Sequence, residues 1–124
     1  MTPDSQHPAP FDKDAMLDNI GGDEDMLRML LGLFLRTAED VLTALDVPEA
    51  EKAGDAYTKL WQQQLHLLRG SALNIGAQEF CACLSLAEYE AENLTAAQKS
   101  ARLDLIKTVY ADLRDYIEKI TQSK

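Results

Sequence analysis

The segment Gln62-Gln63-Gln64-Leu65-His66-Leu67-Leu68-Arg69-Gly70-Ser71-Ala72 carries the residues best suited to chemistry. A solvated imidazole is largely neutral at physiological pH, and its free ring nitrogen is a good nucleophile toward phosphorus. Arg69, three residues on, offers a cation and a bidentate fork for phosphoryl oxygens. Lys59, two turns earlier, can add positive potential. Gly70 stands four residues after His66, one helical turn along the same face. Glycine inside an exposed helix costs about 1 kcal/mol relative to alanine. One reason to keep it is that a missing side chain lets another protein approach the imidazole. The alternative is a glycine tolerated near a helix end.

The helix that must carry these residues sets their directions. Trp61, Leu65, Leu68, Ala72 and Ile75 recur at alternating steps of four and three, which predicts a core seam. At 100° per residue, His66 lies about 140° from that seam, Gly70 about 180°, Lys59 about 160°, Gln62 about 100° and Arg69 about 80°. His66 is therefore predicted to face solvent. Gln62, Gln63 and Lys59 beside it are assigned to partner contact. Leu67, at about −120°, and Leu73, at about 120°, sit on the outward half and would make an apolar rim for a docking partner. Single exposed leucines are also ordinary.

Around this helix the periodicity predicts an all-α protein. A short helix is expected from Asp12 to Ile20, stopped by Gly21-Gly22. Asp23 caps a long second helix with Met26, Leu27, Leu30, Leu31, Phe34, Ala38, Val41, Leu42 and Leu45 as its apolar stripe. Asp46-Val47-Pro48 breaks it. The third helix begins between Glu49 and Asp55 and closes at Gly76. A fourth runs from Gln78 to Glu92 with Phe80, Leu84, Ala87 and Ala91 on one face. Thr95-x-x-Gln98 is a capping box opening the last, with Leu103, Ile106, Tyr110, Leu113, Ile117 and Ile120 at steps of three and four. Long amphipathic helices with short connections predict an antiparallel four-helix bundle with a short additional N-terminal helix. Residues 1–10, rich in proline, are expected to be a disordered tail in which His7 is inert, and residues 11–121 the single domain.

Composition excludes other classes. The 124 residues suit one domain, and a formal charge of −9 argues against nucleic acid and against anionic membranes. No apolar stretch approaches a bilayer span, and the first ten residues lack a signal peptide's apolar run, so a cytoplasmic protein is expected. Cys81 and Cys83 lack the C-x-x-C spacing; on a helix they point about 200° apart, too divergent for a comfortable bridge, and read as ordinary small core or boundary residues. No metal or cofactor is expected. A di-iron bundle needs Glu-x-x-His on facing helices, and Gln63 stands three residues before His66.

The sequence resembles the histidine-phosphotransfer (HPt) domain family. The family's motif, H-x-x-(K/R)-G-(S/A)-(S/A) followed by an aliphatic residue and then Gly ten residues after the histidine, is matched by His66, Arg69, Gly70, Ser71, Ala72, Ile75 and Gly76. Upstream, Ile20-Gly21-Gly22-Asp23-x-x-Met26-Leu27 leading into a leucine-rich helix with Phe34 is also similar. The likeness spans roughly residues 11 to 120. It implies a four-helix bundle in which His66 Nε2 accepts a phosphoryl group from one receiver-domain aspartate and passes it to another. Arg69 stands where lysine is more frequent. Glu88, 22 residues after His66, falls where a polar residue can hydrogen-bond the imidazole; the alternative is a solvated surface glutamate. The implied partners are response-regulator receiver domains and a hybrid sensor histidine kinase. Mg2+ would belong to the receiver, not to this chain.

Other readings stay open on the sequence. An HPt-like module that docks a response regulator without carrying phosphate shares the fold, though the intact His66, Arg69 and Gly70 weigh against it. A histidine-kinase dimerisation domain would place an acidic residue where Leu67 stands. No glycine-rich nucleotide-binding module is visible, so the chain reads as a phosphoryl carrier and not an enzyme. A monomer is expected. The starting Met and short tail favour a free-standing protein over an excised module.

Overall fold

The computed structural model describes residues 10–122. The expected tail, with His7, lies outside the described residues except for Pro10. Those described are all-helical, with no strand among them. Five α-helices occur in order: α1 (Lys13–Asn19), α2 (Glu24–Leu45), α3 (Asp55–Asn74), α4 (Gln78–Tyr89) and α5 (Ala96–Gln122). Two 3-10 turns, Glu49–Lys52 and Ala91–Asn93, precede α3 and follow α4.

Local chemistry sets the ends. The Asp12 and Asp23 side chains accept hydrogen bonds from the amides of Ala15 at 3.1 Å and Met26 at 3.0 Å, satisfying donors that a helix start leaves free. The capping box forms in both directions: the Thr95 amide donates to Gln98 Oε1 at 2.8 Å, and the Gln98 amide to Thr95 Oγ1 at 3.1 Å. α1 and α3 end alike. Gly21 and Gly76 take the left-handed conformation at φ 73° and 74°. The next amide reaches back five residues, Gly22 to the Leu17 carbonyl at 2.8 Å and Ala77 to that of Ala72 at 3.0 Å. The second of these follows the end of α3 at Asn74, with Gly76 ten residues beyond His66.

One apolar core joins the helices. α3 lies against α2 and α4, and α5 against α2 and α4. Trp61, Leu65, Leu68 and Ala72 of α3 are fully buried, as are Leu31, Leu45, Leu84 and Ile106 from the other helices. Phe34, Phe80 and Tyr110 bring α2, α4 and α5 together, with Phe34 edge-on to Phe80 at 6.0 Å.

Some expectations need correction. Met26 is 40% exposed and Leu30 only half-buried. They lie roughly 110° and 70° from the centre of the α2 stripe, at its edge and not in it. Ile120 is half-buried too, near the end of α5. α4 stops at Tyr89, short of Glu92, and the chain turns through the 3-10 segment. A reading of the apolar residues alone also passes over two buried lysines, Lys52 and Lys99, each about as hidden as the core.

Candidate functional site

His66 sits in the middle of α3 with its side chain 65% exposed, one residue from fully buried Leu65. Two ties between α3 and α4 decide what stands beside it. Trp61 Nε1 donates to the Ala87 carbonyl at 2.9 Å, and the Cys81 thiol reaches the Arg69 carbonyl at 3.7 Å. With Ala87 pinned, the next residue, Glu88, is carried to the flank of the histidine. Glu88 is thus the ring's neighbour from α4, and its side chain is only 24% exposed.

Three charged or polar side chains converge here. Glu88 Oε2 lies 3.2 Å from His66 Nδ1. Arg69 Nη2 lies 2.9 Å from the same nitrogen. Arg69 Nε lies 3.7 Å from Glu88 Oε1, at ion-pair distance but outside a hydrogen bond, and this buried Nε–H has no hydrogen-bond partner among the described residues. The two contacts on Nδ1 make opposite demands. A carboxylate can only accept from Nδ1–H, whereas a guanidinium can only donate to a bare Nδ1. One ring satisfies one of them at a time. Nε2 makes no hydrogen bond among the described residues.

The remaining sequence-selected residues lie on α3 around this trio. Lys59, Gln63, Leu67, Gly70 and Leu73 are exposed and Gln62 is half-buried. Leu67 and Leu73 are 56% and 59% exposed, so both are apolar surface available to a partner. Lys59 makes no ion pair among the described residues and does not join the His66 cluster. A Cβ added at Gly70 would meet no atom within 4 Å. Nothing among the described residues requires a glycine there.

Cys81 is buried, Cys83 half-buried, and both are free. Burial pushes both thiols up, against the pull of Arg69 on Cys81 and Arg102 on Cys83. Such thiols are poor nucleophiles. Among the described residues no three His, Cys, Asp or Glu side chains converge as a metal-ligand set, and no helix is long and apolar enough to cross a membrane. Sequence reasoning assigned Arg69 to an arriving phosphoryl group; it missed that Arg69 also holds the ring. No family model, curated protein or solved structure matches the chain.

Proposed function

We propose that this chain is a histidine-phosphotransfer protein, an antiparallel four-helix bundle whose His66 carries a phosphoryl group between receiver-domain aspartates. The observation that carries the reading is the exposed His66 ring at mid-helix, gripped at Nδ1 and free at Nε2. A gripped ring is oriented, and an unengaged Nε2 is open to an electrophile from solvent.

The chemistry fits the surroundings. The Nε2 lone pair forms the N–P bond while the P–O bond of an aspartyl phosphate breaks, and that bonding pair leaves on the aspartate carboxylate. The ring keeps its Nδ1–H and becomes cationic. Glu88 is placed to balance that charge across Nδ1–H. Arg69 can pair with the transferred oxygens from the flank, and the return step is the same path reversed. The open surface at Gly70 admits the partner, and exposed Leu67 and Leu73 give it apolar contact. The partner's receiver domain supplies the aspartate and its Mg2+; this chain is carrier and substrate, not an enzyme.

The test is phosphate transfer from a labelled receiver domain. Wild type should acquire acid-labile, base-stable label. His66→Gln should fold normally, since an exposed side chain contributes little to stability, and take none. Equal labelling of the variant would remove His66 from the mechanism. An unlabelled wild type that still binds the receiver would favour the docking-only reading.

A further inference from the structure

Resting on the phosphotransfer reading, we propose that Arg69 gates the tautomer of His66. At rest the guanidinium donates to Nδ1 and places the ring proton on Nε2. An arriving phosphoryl group draws the guanidinium away, Nδ1–H forms against Glu88, and the Nε2 lone pair is released.

The argument starts from the shared nitrogen. Arginine stays protonated in proteins, so the 2.9 Å contact from Nη2 is satisfied only by a bare Nδ1. A neutral ring with bare Nδ1 carries its hydrogen on Nε2 and has no lone pair there to attack phosphorus. The contact to Glu88 on the same nitrogen is longer, 3.2 Å, and would select the opposite, reactive tautomer. The geometry therefore places the two tautomers in competition, with the shorter bond on the unreactive side.

The resting contact is also one that can be displaced. In this pose the buried Arg69 Nε–H goes without a hydrogen bond, and Nη2 donates to a neutral acceptor. A phosphoryl oxygen is an anionic acceptor, so it adds an ion pair and a bidentate fit to the guanidinium that a neutral imidazole nitrogen does not offer. Glu88 does not move in the exchange; it already lies within reach of Nδ1. The ring is 65% exposed, so the proton lost from Nε2 goes to water, and Nδ1 takes one from water, with no net change. The attack then proceeds from a neutral ring, and the phosphorylated ring keeps Nδ1–H facing the carboxylate. Arg69 is in this respect a positioning residue: it acts through the imidazole before it meets the phosphate.

Two measurements on the full chain test the gate. Long-range proton–nitrogen correlation spectra of 15N-histidine protein, at a pH where the ring is neutral, report which nitrogen carries hydrogen. Wild type should show His66 mainly as the Nε2–H form, and Arg69→Ala should invert the ratio toward Nδ1–H. Arg69→Ala,Glu88→Ala should lose the bias in both directions. A wild type already in the Nδ1–H form, or an unchanged ratio in Arg69→Ala, overturns the proposal. The second measurement uses two electrophiles, with modification at His66 separated from His7 by peptide mapping. Diethyl pyrocarbonate is uncharged and offers Arg69 no phosphate, so Arg69→Ala should react several-fold faster than wild type, because a larger fraction of the ring is competent. Acetyl phosphate brings the anion that opens the gate, so Arg69→Ala should react more slowly. Rates that fall or stay level with both reagents would leave Arg69 as a phosphate contact alone and overturn the gate. Neither the spectra nor diethyl pyrocarbonate involves a receiver. A protein that shows the tautomer inversion yet never takes label from a receiver would sink the phosphotransfer reading and leave the inversion standing.

Discussion

Gly70 and Gly32 make a matched pair at the residue scale. Each lies inside a long helix on an exposed face, and a Cβ at either would meet nothing within 4 Å. Helix propensity alone then says that Gly70→Ala and Gly32→Ala should each stabilise the fold by up to about 1 kcal/mol, read by urea unfolding. If the chain transfers phosphate as proposed, function should separate them. A long side chain one turn from His66 would hold a partner off, and transfer tolerates little displacement of the reacting atoms. Gly70→Gln is expected to slow transfer from a receiver at least about tenfold, or about 1.4 kcal/mol of barrier. Gly32→Gln on α2 should transfer at the wild-type rate. Wild-type transfer in Gly70→Gln would show that this face does not dock the partner. The direction in which His66 points was legible in the sequence, because azimuth on a helix follows from spacing alone. The contact of Arg69 with Nδ1 was not. It depends on side-chain torsions, and on a register between α3 and α4 that Trp61 sets by reaching the Ala87 carbonyl.

At the scale of the element, α5 holds its own surprise. Lys99 precedes Leu103, Ile106 and Tyr110 at the same steps of four and three, so its position belongs to the buried seam. A seam read from apolar residues alone begins at Leu103 and passes over it. In the fold Lys99 Nζ donates to Thr58 Oγ1 at 2.7 Å and lies 5.8 Å from the centre of the Tyr57 ring. Lys52 likewise meets Ser100 Oγ at 2.9 Å, and the pair fastens the start of α5 to the segment entering α3. Neither lysine makes an ion pair among the described residues. Burial lowers the Lys99 pKa, opposed by nearby Asp55. An ammonium held by a hydroxyl and a ring recovers little of its hydration, so an apolar chain of similar shape should serve as well. Lys99→Met is expected to stay within about 1 kcal/mol of wild type or to exceed it. Thr58→Val strips the acceptor and leaves the ammonium buried, and should cost about 1–3 kcal/mol. Equal losses in both, measured by urea unfolding, would show that the lysine itself stabilises this end.

For the whole molecule, the all-helical class and the order of the elements were legible because caps, breakers and periodicity are local signals. Which distant groups tie the helices together was not, since those bonds join residues far apart in sequence. Three are made by tyrosines. Tyr57 donates to the Leu45 carbonyl at 2.8 Å, joining α3 to the end of α2; Tyr110 donates to Glu39 Oε2 at 3.2 Å, joining α5 to α2; Tyr116 donates to the Phe11 carbonyl at 3.4 Å. Burial raises all three phenols, with nearby carboxylates adding to it, and pushes Tyr57 from 10.0 to about 12. A raised phenol binds its proton more tightly in the fold than in the unfolded chain. Its contribution is fully present below pH 10 and is lost as pH climbs toward the folded value. For Tyr57 that loss is on the order of 2 kcal/mol, centred between pH 10 and 12. Lys99 works in the opposite sense: its folded pKa is lowered, so stability rises as pH approaches the ordinary lysine value of 10.5. Above that value the Lys99 contribution levels off, and the raised thiols of Cys81 and Cys83 act alike in wild type and a Tyr57 variant, so the difference between the two reports Tyr57. Tyr57→Phe removes the hydrogen bond to Leu45 and should cost about 1 kcal/mol near neutrality. It also removes the ionising group, so its stability should fall less steeply than that of wild type between pH 10.5 and 12, and the gap between the two curves should close and then reverse. Parallel curves in that range, by urea unfolding at each pH, would mean that the Tyr57 phenol ionises as readily in the fold as outside it, and that its bond to Leu45 does not hold the α2–α3 junction.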